Sequence, residues 1–217
     1  MVFVLLGVLL IAALAAKALF GVYRGCEPNI VDVYDAHDRA TAFELEEREE
    51  LARSEFVDKG VHLVRAGKAE MVMHLYQRAS DGTVVTGLSQ PDGSLPAHYV
   101  STLLAEGRGW LDTRRTDRMP GPRGQLVQVL PDSSLGEMVA SHTRALRVLG
   151  DHGVATVRRV KAFGLHMHQA TLTKRSLRHN PIRWLIRLAS RSLNPDVARD
   201  ITGGAQLSRQ LSAMGLT

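Results

Sequence analysis

Residues 1–16 carry no charged side chain, and the apolar run that they begin reaches Tyr23 with only Lys17 interrupting it. No other feature constrains the chain as strongly. Residues 2–23 span 22 positions, about 33 Å of helix at a rise of about 1.5 Å per residue, against a hydrocarbon core of about 30 Å. Leu, Val, Ile and Ala dominate the stretch, which suits a helix facing lipid all round. Lys17 falls in its last third, where a long side chain snorkels to the headgroups, and Tyr23 falls at interfacial depth.

Three rival readings of the segment are weaker. Ala13-Leu14-Ala15 and Ala16-Lys17-Ala18 resemble small-residue cleavage sites, but Met1-Val2-Phe3 offers no basic n-region for a secretory signal. Cys26 follows Tyr23-Arg24-Gly25, which lacks the small and aliphatic residues expected before an acylated cysteine. A buried core helix is the third reading. Lys17, Arg24 and Arg39 all follow the apolar run or lie at its end, and none precedes it. The positive-inside rule therefore predicts the N-terminus outside and residues 25–217 in the cytoplasm. A single cysteine in 217 residues excludes an internal disulfide, as suits a reducing compartment.

The spacing of apolar residues and helix stops divides the chain four ways: a transmembrane anchor over 1–24, an acidic linker and helix over 25–68, an antiparallel β meander over 69–131, and a helical basic part over 132–217 packed on the sheet. The fold class expected is α+β. Charge is segregated along it. Residues 27–59 hold eleven Asp and Glu against four Lys and Arg, whereas residues 140–192 hold eleven Lys and Arg against Asp151 alone. Two solvated faces, an internal electrostatic match, or two surfaces for different partners would each produce this pattern.

Thr41-Ala42-Phe43-Glu44 reads as a capping box. Glu44–Arg48, Glu49–Arg53 and Glu55–Lys59 then repeat at i,i+4, which predicts a helix over 41–59 that Gly60 stops. Met71, Met73 and Leu75 alternate with Val72, His74 and Tyr76, and Asp81-Gly82 supplies a hairpin turn before residues 83–86. Residues 99–104, 109–113 and 125–130 complete a meander of four or five strands. Ser134 and Glu137 form a second capping box. Leu135, Met138, Val139, His142, Ala145, Leu146 and Leu149 follow it at helical spacing as far as Gly150. A further helix is expected within 155–179. Asn180-Pro181 and Asn194-Pro195 each pair an N-cap residue with proline at the first helical position, and a last helix is expected over 205–214.

No motif ties the chain to a known family, and no cofactor is implied. His142 is the one residue from which a catalytic reading could start, because it falls on the apolar face of its helix and a buried imidazole needs defined partners. The ordinary alternative is a core histidine. Ser141 beside it points elsewhere and makes no nucleophile–base pair. His166-Met167-His168 could share a metal on a strand but diverge on a helix, and no third ligand is indicated. Asp112, Asp117 and Asp132 fall near expected turns, where turn chemistry accounts for them.

The basic segment 171–192 is the best lead. Arg183, Arg187 and Arg191 recur every four residues beside Ile182, Trp184, Leu185, Ile186 and Leu188, and Lys174, Arg175 and Arg178 add charge upstream. A short helix of this kind lies in a membrane interface with its arginines at the phosphates. Core packing beneath an exposed arginine face is the competing reading. Nucleic acid is disfavoured as a partner, because stacking aromatics other than Trp184 are missing around the charges. The expected protein is a membrane-anchored interaction or scaffold module, whose partners are the bilayer and possible neighbours in a membrane complex. A membrane-tethered enzyme centred on His142, or a binder of nucleic acid or an acidic partner through residues 171–192, stands as the alternative.

Overall fold

Alternating apolar residues between 56 and 129 build six long consecutive strands: β2 (Phe56–Ala66), β3 (Ala69–Arg78), β4 (Val84–Ser89), β5 (Ala97–Leu104), β6 (Gly109–Arg114) and β7 (Gln125–Val129). The three-residue β1 (Asn29–Val31) adds an edge, and the sheet runs β1 to β7 in sequence order. The computed structural model describes residues 13–17, 19–21, 29–31, 43–66, 69–91, 94, 97–106, 109–116, 124–193 and 212. The fold is α+β, with a mostly antiparallel sheet and four helices among the described elements: α1 (Leu45–Arg53), α2 (Leu135–Asp151), α3 (Ala162–His179) and α4 (Pro181–Leu193).

Strand pleating sorts side chains into two buried layers. Tyr76, Val85 and Val100 are cross-strand neighbours, and they pack with Phe43 and Leu51 from the α1 region and with Leu135, Met138 and Val139 of α2. Met73, Leu75 and Val84 point the other way and pack with Ala162 and Leu165 of α3. The sheet is therefore covered on both faces. α4 packs against α3, on the side remote from α1 and α2.

Three expectations need correction. The acidic helix covers residues 45–53, not 41–59, and its capping box is formed by Glu44 and Glu47. Glu55 adopts φ +64°, which ends the helical path, and residues 56–66 go on as a strand. The strand bulges between Asp58 and Gly60, where Gly60 sits at φ +96° and its N–H donates to Asp58 Oδ1 at 2.7 Å. The sheet is also larger than four or five strands. It is not antiparallel throughout, because β6 and β7 run parallel. Beside the start of β7, Trp110 N–H meets the Gly124 carbonyl at 3.1 Å. A Cβ on Gly109, whose φ is +100°, would collide with that carbonyl, so only glycine permits this close approach.

The second capping box and the helix that it opens form as expected. Ser134 Oγ accepts from the Glu137 N–H at 3.2 Å, and the Glu137 carboxylate accepts from the Ser134 N–H at 2.8 Å. The Ser134 hydroxyl also donates to Glu137 Oε2 at 3.0 Å, and the bond from the Ser134 N–H together with this one holds the Glu137 carboxyl below its usual range. Most of the apolar segment, with Cys26, lies outside the described residues, as do the helix expected after Asn194 and, except for Ser212, the one expected over 205–214. Residues 13–17 and 19–21 are helical, and Leu14 and Phe20 are exposed on them. Among the described residues no helix is long and apolar enough to cross a membrane.

Candidate functional site

α3 and α4 meet at Asn180. Its side-chain carbonyl accepts the Arg183 N–H at 3.1 Å and caps α4, while Pro181 takes the first helical position, where no N–H is needed. Helical periodicity then splits the residues of α4 between two sides. Trp184 turns inward and is only 3% exposed, its indole N–H donating to Ser176 Oγ of α3 at 3.1 Å. Ile182 and Ile186, one turn apart, point out and are 70% and 66% exposed. This corrects the expectation that Trp184 belongs to a surface-facing apolar strip: at i+2 it lies about 200° around the helix from Ile182.

Arg175 on α3 and Arg183 on α4 are exposed, and Arg187 is half-buried. Together with His179 they line a cleft of about 470 Å³ at the corner, and its described lining contains no carboxylate. Lys174 and Arg178 sit on α3 outside that lining, and the side chain of Arg191 lies outside the described residues.

His142 occupies the opposite layer and is 0% exposed. Both ring nitrogens are engaged, Nε2 with Thr102 Oγ1 and Nδ1 with Thr113 Oγ1, each at 2.8 Å. Thr113 donates onward to Gln128 Oε1 at 3.3 Å, and Gln128 Nε2 donates to Ser141 Oγ at 2.8 Å. The direction of that chain assigns the ring proton to Nδ1 and leaves Nε2 accepting from Thr102. Burial pushes the imidazole down to about 3; the nearby Asp81 opposes the shift and Arg78 adds to it. A general base must reach its substrate, and this ring has no open direction. Its geometry is that of a satisfied core histidine.

His166 and His168 lie on α3, so they diverge and do not share an ion. His166 faces the sheet with Nε2 2.8 Å from Thr86 Oγ1. Burial lowers its pKa to about 4, against the pull of Asp112 and a hydrogen bond to Gln169. His168 is exposed. Among the described residues no group of three or more His, Cys, Asp or Glu is arranged to hold a metal.

Sequence reasoning missed two polar clusters. Asp112 is not a turn residue: it is buried in β6 and accepts from Ser101 Oγ (2.5 Å), Trp110 Nε1 (2.8 Å), Gln125 Nε2 (2.5 Å) and Gln169 Nε2 (3.3 Å). Four neutral donors thus stabilise one buried carboxylate and tie α3 to three strands. The second cluster gathers around Phe43, whose ring stacks on His98 at 5.0 Å and meets His74 and Tyr76 edge-on. Asp58 contacts His74 Nε2 at 3.0 Å, and Glu47 approaches His98 Nδ1 at 3.7 Å. Burial first, then the charge of Asp58, pushes the Tyr76 phenol up. Sequence alternation puts His74 and Tyr76 on one face; the covering Phe43 comes from outside the sheet and has no such signal.

No protein-family model, curated protein or solved structure matches this chain.

Proposed function

We propose that this protein is a single-pass membrane-anchored interaction module without enzymatic activity, held by residues 2–23 with residues 25–217 on the cytoplasmic side. In this reading α4 lies along the bilayer surface. The observation that carries it is the pair of exposed isoleucines, Ile182 and Ile186, flanked by Arg183 on a helix with no acidic residue. A large aliphatic side chain contributes about 1.5–3 kcal/mol on full burial. Two of them, each with about two thirds of that contact available, contribute about 2–4 kcal/mol, and each arginine near an anionic surface adds about 1 kcal/mol. Contacts this weak suffice once an anchor in the same membrane supplies a high effective concentration.

The layering supports a scaffold role. α3 covers one face of the sheet, with α4 packed against α3, and α1 covers the other, so the acidic helix, with Glu46, Glu49 and Glu50, lies on the face away from α3. It is available there to a basic partner.

Amide hydrogen exchange on the full chain tests the docking. Residues 181–190 should exchange more slowly in phosphatidylcholine–phosphatidylglycerol nanodiscs than in detergent, and α2 should not change. Equal exchange of α4 in both settings would remove the basis of the proposal.

A further inference from the structure

We propose that the cleft between α3 and α4 binds the phosphate monoester of an anionic lipid headgroup, an inference that rests on the docking of α4 argued above. Its volume of about 470 Å³ falls within the range of about 300–1,000 Å³ common for small-ligand sites. The polarity of the lining is one-sided. Arg175, Arg183 and Arg187 contribute guanidinium donors and no acceptor. Asn180 uses its side-chain carbonyl on the Arg183 N–H, which leaves its amide hydrogens to donate. Ser176 uses its oxygen to accept the Trp184 indole N–H, which leaves its hydroxyl hydrogen. A cleft whose internal bonds consume acceptors and leave donors suits an anion rich in oxygens. Arg175 and Arg183 form no ion pair with an acid among the described residues, so an incoming anion displaces no partner from either.

The same features favour a monoester over a diester. A monoester carries about −1.5 to −2 charge near neutral pH and three terminal oxygens, which matches several planar forks better than the single charge and two free oxygens of a diester. The lipid is the favoured source because the exposed Ile182 and Ile186 each directly precede a lining arginine, Arg183 and Arg187, on α4, so one approach to the bilayer serves both.

Calorimetry on the detergent-solubilised full chain, with sn-glycerol 3-phosphate and glycerophosphoglycerol as probes, tests the site. The monoester should bind saturably and at least about tenfold more tightly than the diester. Arg175→Gln with Arg183→Gln should weaken it by a similar factor. Arg144→Gln with Arg147→Gln, which removes equal charge from exposed positions on α2, should leave it intact. In nanodiscs, phosphatidic acid should slow exchange of α4 more than phosphatidylglycerol at matched surface charge. Failure of glycerol 3-phosphate to bind, or unchanged binding by the Arg175 and Arg183 variant, overturns the proposal. If exchange is slowed equally by both lipids and the monoester does not bind, docking stands and the cleft assignment falls. If the monoester binds while α4 stays unprotected in both lipids, the lipid source is overturned, and docking with it.

Discussion

Acid should destabilise this fold through a single enclosed histidine. His142 is held neutral, with a pKa of about 3 against 6.5 for the free side chain. Because the folded value is the lower one, the unfolded chain binds the extra proton, so stability is full above about pH 6.5 and is lost as pH falls towards the folded value. Each unit in that window corresponds to about 1.4 kcal/mol, so moving from about pH 7 to about pH 5 removes about 2 kcal/mol through this group. The assay is urea unfolding of the full chain in mild detergent, followed by fluorescence of Trp110, which is buried three residues from Thr113. His166, also depressed, titrates in the same direction, so the comparison must be with a variant. His142→Gln keeps an amide that can donate to one threonine and accept from the other but cannot titrate. It should be less stable at neutral pH by about 1–3 kcal/mol and should lose about 2 kcal/mol less on acidification. An identical pH slope in the variant would refute the assignment of the shift to His142.

Three further outcomes follow from the contacts. Gly109→Ala should lower stability by about 1–3 kcal/mol or more, read as a fall in melting temperature, because φ is +100° there and the Gly124 carbonyl occupies the space. Asp112→Ala removes the acceptor of four donors; at about 1–3 kcal/mol for each buried donor left unsatisfied, it should be among the most damaging substitutions and should speed hydrogen exchange in α3. Ile182→Ser with Ile186→Ser should leave the melting temperature unchanged, since both side chains are exposed, while weakening contact of α4 with the bilayer by about 2–4 kcal/mol, measured as lost exchange protection.

Where local chemistry decides the structure, the sequence was readable. The Ser134–Glu137 box, the Asn180-Pro181 start and the alternation over 71–76 each act within a few residues, and each element formed as expected. β2 was hidden because the Glu–Arg and Glu–Lys spacing that favours a helix continues through Lys59, while the left-handed Glu55 that ends the helix leaves no mark in composition. Parallel pairing of β7 was equally hidden, since an alternating strand has the same pattern in either direction. Asp112 looked like a turn residue because a buried polar face and a solvated one share the same period of two; only cross-strand Ser101 and Gln125 distinguish them. At the α3–α4 corner the arginine stripe was legible, but which apolar residues remain outside depended on how α4 rolls onto α3.

A nitroxide on the outward side of α4 reports whether that helix touches lipid. The label would be carried by Ile186→Cys in a full chain bearing Cys26→Ser, reconstituted in phosphatidylcholine–phosphatidylglycerol nanodiscs, with Ala140→Cys on α2 as the water-exposed reference. Lipid contact should leave the label at 186 readily relaxed by oxygen and shielded from a water-soluble nickel chelate, while the label at 140 shows the reverse. Equal access of the chelate to both positions would contradict it.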